Sequence, residues 1–248
     1  MQFKMWSLLH IAYILSPFII FALLFLLLRK RSDATKHVIG IIIGVLSILI
    51  LVVRNVDIYL RSGWGVEVIP LQVCHIGSLI VGFALIFRKK WLLLISFCFN
   101  LTPAILAMVF ADSLANYDTL FKIRPQTYIW GHILIVVGAF YGLFLYKNNF
   151  NKSDLFKSFY LIIPCLIIAI ICNSVFRACL GWEPNYFYLF NHKGTPLKFL
   201  YTATPPSKYG WFEINWLYTL TLITVFIGVY LLFYLVAKLI SKKIFKQS

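Results

Sequence analysis

With 248 residues, 61% of them hydrophobic and only 12% charged, the chain carries about half the charge of an ordinary soluble domain. A mean hydropathy of +0.87 makes lipid the solvent for most of its length and excludes a water-soluble globular protein. The net charge of +15 suggests nucleic acid, but the basic residues are dispersed among the connections between apolar runs, which excludes that partner.

Seven apolar stretches of near-spanning length follow in order: 6–28, 37–53, 66–87, 91–110, 128–146, 158–180 and 212–239. None has the period-two alternation of a barrel strand. The prediction is therefore all-α: a polytopic membrane protein, a seven-transmembrane-helix bundle forming one domain over 1–248. The first run is too long for the core of a cleaved leader and is followed by Arg29-Lys30-Arg31, so it reads as a retained span.

Charge orients the bundle. Fourteen basic residues lie in the first, third and fifth connections and the C-terminus: Arg29, Lys30, Arg31, Lys36, Arg88, Lys89, Lys90, Lys147, Lys152, Lys157, Lys238, Lys242, Lys243 and Lys246. Two acids accompany them, Asp33 and Asp154, whereas the opposite side has nine basic residues and six acids. The positive-inside rule places the N-terminus outside and the C-terminus in the cytoplasm, as an odd number of spans requires.

Polar residues gather toward the outer ends of the runs. His10 lies one turn into the first, and Arg54, Asn55 and Asp57 end the second. Pro70, Gln72, Cys74, His75 and Ser78 occupy the outer half of the third, and Asn100 precedes Thr102-Pro103 in the fourth. His132 lies one turn into the fifth, while Asn173 and Arg177 share a face of the sixth. Ionisable groups are costly in hydrocarbon and usually face a bundle interior or wet cavity.

The convergence predicts a pocket open to the outer leaflet, although each residue alone also fits a packing or interfacial role. The 181–211 segment, rich in Tyr, Phe, Trp and Pro, is expected to lie along the membrane surface as a cap. It would bring Asn185 and Tyr186 toward the pocket. Cys165, Cys172 and Cys179 recur every seven residues and read as a packing stripe. No His/Asp/Glu cluster has metal-ligand spacing, so neither a metal nor another cofactor is implied.

Several motifs resemble the YwaF-type integral membrane proteins of bacteria. They are Pro70-Leu71-Gln72-Val73-Cys74, then Tyr128-Ile129-Trp130-Gly131-His132, then Asn185-Tyr186-Phe187-Tyr188-Leu189, with an aromatic Gly-Trp-Phe stretch before the last run. The bacterial pattern more typically reads Pro-Leu-His-x-Cys, and Gln72 holds the histidine position here. The same family is similar to a eukaryotic transmembrane acyltransferase of ether-phospholipid synthesis, and more distantly to androgen-induced membrane hydrolases of fatty-acid esters. The resemblance implies a multi-pass protein of the bacterial cell membrane that acts on a phospholipid or acyl-lipid. It casts Cys74 as nucleophile and His132 as base.

That chemistry is coherent, because a thiol needs a neighbouring base and imidazole suits the task. Asn100 or Asn173 would polarise the ester carbonyl, and Arg177 would hold a lipid phosphate. His10, Gln72 and His75 complete the expected pocket. The competing expectation is a non-catalytic protein that binds or transports a lipid or solute.

Overall fold

The computed structural model describes residues 3–146, 148–193, 195 and 197–246, with 244–246 as backbone. Lys147 and the Lys246 side chain lie outside the described residues. The major helices are α1 (Leu8–Leu28), α2 (Asp33–Ser62), α3 (Val73–Phe87), α4 (Lys90–Val109), α5 (Ile123–Phe144), α6 (Lys152–Leu180) and α7 (Trp216–Lys246). Six are long and apolar enough to cross a bilayer, and α3 is a shorter apolar helix of 15 residues. The chain is an all-helical polytopic membrane protein in its main architecture.

Local chemistry starts several helices. Ser7 accepts from the His10 amide, Ser32 from the Thr35 amide, and Asn151 with Asp154 forms a reciprocal capping box. In contrast, α3 begins at Gln72 without a side-chain cap. The fourth span contains a π-helical turn at Ser96–Asn100, buried throughout. Pro103 follows closely and has no N–H to return to the Phe99 carbonyl, which accounts for an irregular ladder here.

Helix α3 packs against α2, α4 and α5. Glycines bring α2 and α3 together: a Cβ on Gly82 would lie 2.9 Å from the Gly44 carbonyl oxygen and 2.5 Å from Ile48 Cγ1. One end of the bundle is closed by polar ties. Arg88 grips both carboxylate oxygens of Asp33 at 2.7 and 3.0 Å and sits 4.4 Å over the Tyr146 ring. Tyr141 donates to the Lys36 carbonyl at 2.6 Å, and Tyr146 to that of Leu85 at 3.2 Å.

Four expectations about element boundaries need correction. The third helix starts at Val73, because 63–72, containing Gly63, Gly65 and Pro70, is irregular. Gln72 is thus a cap residue, and Cys74 belongs to the first turn rather than a deeper one. Helix α2 continues to Ser62, so Arg54 lies within it. Helix α5 starts at Ile123, which puts His132 about two and a half turns along it instead of one. Finally, Phe212–Ile214 is not helical. It forms strand β2, paired antiparallel with β1 (Ser207–Tyr209) around Gly210 at φ +62°.

The 181–211 segment is folded back onto the helices. Asn173 donates to the Tyr186 carbonyl at 3.0 Å and accepts from its amide at 2.8 Å. The Tyr186 hydroxyl donates to the Val66 carbonyl at 2.9 Å, strapping the segment to the irregular stretch before α3. The hairpin docks on α6 where Ser174 donates to the Glu213 carbonyl at 3.1 Å. Phe187 and Tyr188 both have a left-handed φ of 57°, a conformation costing non-glycine residues on the order of 1–2 kcal/mol each.

Candidate functional site

A cavity of about 480 Å³ opens between α2, α3, α5, the 66–72 stretch and the 185–188 turn. Its lining includes Arg54, Glu67, Gln72, Cys74, His75, Ser78, Tyr128, His132, Asn185 and Tyr188, with Ile50, Leu51 and Ile135 as apolar wall. Cys74 and His132 therefore face the same hollow, as do Gln72, His75 and Asn185.

The hydrogen bonding of His132 defines its chemistry. Its Nδ1 lies 2.7 Å from the Tyr128 carbonyl oxygen, which can only accept, so Nδ1 carries the proton. In the neutral ring Nε2 is then a bare lone pair. His132 is 4% exposed, yet Nε2 has no partner among the described residues. His75, 7% exposed, adds an unpartnered Nδ1 to the same lining. Buried polar atoms are normally satisfied, so two open imidazole nitrogens in one cavity leave bonds that water or a guest would complete. No hydrogen bond joins Cys74 to His132.

The cysteine occupies the first turn of α3, where the Ile76 amide makes the first intrahelical bond, to the Gln72 carbonyl at 3.0 Å. No carbonyl oxygen or capping side chain takes the amides of Val73, Cys74 and His75 among the described residues, and those of Cys74 and His75 lie beside the Cys74 sulfur. Uncapped amides at a helix N-terminus favour negative charge beside them. Thus a thiol, an imidazole acceptor and the uncapped first turn of α3 lie at one place.

Other expected residues do different work. His10 accepts from the Trp6 amide at Nδ1 and donates through Nε2 to the Met108 carbonyl, each at 2.9 Å, so both nitrogens are used. It ties α1 to α4 and does not line the cavity. Asn100 donates to the Gly77 carbonyl at 3.3 Å and is also outside the lining. Asn173 and Tyr186 hold the 181–211 segment, as described above. Arg177 lies in a separate hollow of about 220 Å³ with Lys208, Trp211 and Glu213, 3.7 Å from the Glu213 carboxylate and stacked 4.9 Å from Phe190. It does not line the larger cavity.

Conversely, the structure adds Glu67, Tyr128 and Tyr188 to the lining and gives Arg54 a place in it. The Arg54 signal was a cation after a long apolar run. Tyr188 stood in the sequence only as part of the Asn185–Leu189 motif; its approach depends on the turn held by Asn185, which accepts from the Phe190 and Asn191 amides at 3.1 and 3.0 Å. Burial pushes the Tyr188 hydroxyl above the usual tyrosine range, with Cys74 and Tyr218 adding to the effect, so it stays neutral at physiological pH.

Neither curated proteins nor solved structures match the chain. A family model, by contrast, covers residues 5–234, almost the whole bundle together with the cavity, and the chain belongs to the TMEM164 family.

Proposed function

We propose that the protein is a membrane-embedded acyltransferase or lipid-ester hydrolase that uses Cys74 as nucleophile and His132 as base. The observation carrying this reading is the unpartnered Nε2 of His132 in the cavity that also contains Cys74. The thiol proton passes to Nε2 while sulfur attacks the ester carbonyl of a phospholipid or acyl-lipid. The developing oxyanion is met by the uncapped amides at the start of α3, where one such donor is worth about 3 kcal/mol. The carbon–oxygen bond breaks, and the leaving alkoxide takes the proton from Nε2–H. An acceptor hydroxyl, or water, then gives its proton to Nε2 and attacks the thioester, regenerating the thiol.

This role extends to a topology of seven spans in one domain, N-terminus outside and C-terminus cytoplasmic, with α3 counted as a span and 181–211 as the cap. The likeness to the YwaF-type proteins favours a bacterial cell membrane, and the gathering of polar residues at the outer ends of the runs favours outer-leaflet lipid. A second reading is a lipid- or solute-binding or transport protein without chemistry. The missing hydrogen bond between Cys74 and His132 favours it, because a resting catalytic pair is often, though not always, already joined.

The deciding experiment incubates the purified chain with a fluorescent phospholipid and follows acyl release, with mass spectrometry for a thioester on Cys74. The enzyme reading expects an acyl adduct at Cys74 and loss of turnover in Cys74→Ser and His132→Ala. Turnover that persists in Cys74→Ser would end the nucleophile role. Binding without turnover or adduct in the wild-type chain would leave the second reading.

A further inference from the structure

Beside the imidazoles, the cavity has a charge arrangement that the acyl chemistry does not use. Arg54 and Glu67 both line the cavity, and Arg124 stands beside Glu67. The side chains of Arg54, Arg124 and Glu67 are 20%, 36% and 53% exposed, whereas His132 is 4% exposed. The trio therefore marks the mouth, and the imidazole the interior.

One carboxylate lies between two guanidinium groups, and it is not shared equally. Arg124 makes the close ion pair with Glu67. Arg54 approaches the same carboxylate only to 4.0 Å, beyond hydrogen-bonding reach. One amino group of Arg54 is occupied, donating to Asn55 Oδ1 at 3.0 Å and to the Glu67 backbone carbonyl at 2.9 Å. These two bonds anchor the guanidinium. Its other amino group and Nε have no acceptor among the described residues. The result is a fixed planar fork with unused donors and one uncompensated positive charge at the entrance. A guanidinium in this state suits a phosphate or other oxyanion.

We propose that Arg54 is the anion receptor and specificity-determining residue of the cavity, kept free because Arg124 holds Glu67. The proposal rests on the reading of the cavity as a lipid site and deepens it. A phosphate on Arg54 would hold the headgroup at the mouth, and the ester region would extend inward toward Cys74 and His132. Glu67 is the competitor that Arg124 restrains. Removing that restraint would let the carboxylate close on Arg54 and block the receptor without altering its fork.

The test measures binding of dodecyl phosphate to the purified full chain in dodecyl maltoside micelles, by tryptophan fluorescence. Arg54→Gln is expected to weaken binding about tenfold or more, as loss of a charged hydrogen-bonding partner would. Arg124→Gln should also weaken it, by releasing Glu67, and Glu67→Gln should tighten it. A purely structural Arg54 predicts no tightening, so an unchanged affinity in Glu67→Gln overturns the proposal. Unchanged affinity in folded Arg54→Gln also overturns it. Should Arg54→Gln not insert, the opposite shifts in Arg124→Gln and Glu67→Gln decide the matter.

Competition by inorganic phosphate distinguishes the ligand's source: displacement assigns the receptor to the free anion, and resistance to a lipid headgroup. Dodecyl phosphate has no acyl ester for a thiol to attack, so its binding is read without any turnover. Loss of the nucleophile role would therefore leave this binding pattern intact, and the two ideas fail separately.

Discussion

The two ends of the bundle hold most of their polar groups differently, although His37 Nδ1, beside Tyr146 at the Arg88 end, is also buried without a partner. At the Arg88 end, Asp33, Arg88, Tyr141 and Tyr146 bind one another or nearby carbonyls. At the cavity end, His75 Nδ1 and His132 Nε2 are buried without partners, and the first amides of α3 have no cap. A buried unpaired polar atom costs about 1–3 kcal/mol, so the second arrangement is a poor way to stabilise a fold. It makes sense when a ligand completes it. Stability and function thus separate along the length of the same helices, because α3 and α5 run through both ends.

Substitutions can break or sharpen this contrast. The largest effect is expected from His132→Gln, which should reduce lipid acyl turnover by about 10²- to 10⁴-fold, the usual contribution of a general base. Its thermal stability in detergent should fall by no more than about 1 kcal/mol, the net worth of the Nδ1 bond to the Tyr128 carbonyl, since Nε2 makes no bond in the resting fold. A large loss of stability together with activity would erase the division between the ends.

Gly82→Val should have the opposite profile. It inserts atoms where α2 and α3 meet backbone to backbone, and overpacking of this kind costs about 1–3 kcal/mol. The melting temperature should fall, while Cys74 in the surviving folded fraction stays reactive to a lipid-like thiol probe. Arg88→Ala should cost less, about 1 kcal/mol, because its carboxylate partner is 65% exposed and such ion pairs are screened. Probe labelling of Cys74 should be unaffected.

The smallest effect concerns the strap over the cavity. Burial, with Cys172 adding to it, pushes the Tyr186 hydroxyl up to about 12 from the ordinary tyrosine value of about 10. A raised folded value means that the stabilising effect of the neutral hydroxyl is complete below about pH 10 and fades as pH rises toward 12. Limited proteolysis of the 181–211 segment should therefore increase over that window in the wild-type chain. Tyr186→Phe, already lacking the bond to Val66, should show a flatter dependence; equal pH dependence in both proteins would exclude Tyr186 as its source.

How far the sequence could be read depended on the kind of question. Burial cost identified Cys74, His75 and His132, because each interrupts an apolar run and must avoid lipid. Position along a helix was readable only in part: His132 lies about two and a half turns into α5 instead of one, and Cys74 lies in the first turn of α3. Direction around a helix was not readable. Arg177 and Asn173 were expected in the pocket, yet one pairs with Glu213 and the other holds Tyr186. Arg54, placed on the same side by its position, acquires significance only through Arg124's capture of Glu67 across a long stretch of chain.

Composition and charge by themselves determined that this is a helical membrane protein whose ionisable groups must be gathered away from lipid. That follows from transfer free energies, which act on every residue regardless of its neighbours. Tertiary structure decided which of those groups meet. Packing of α2, α3 and α5, the break before Val73 and the left-handed turn at Phe187–Tyr188 put Cys74, His132 and Arg54 around one hollow. Those contacts depend on azimuth and loop path, and hydropathy contains no information on either.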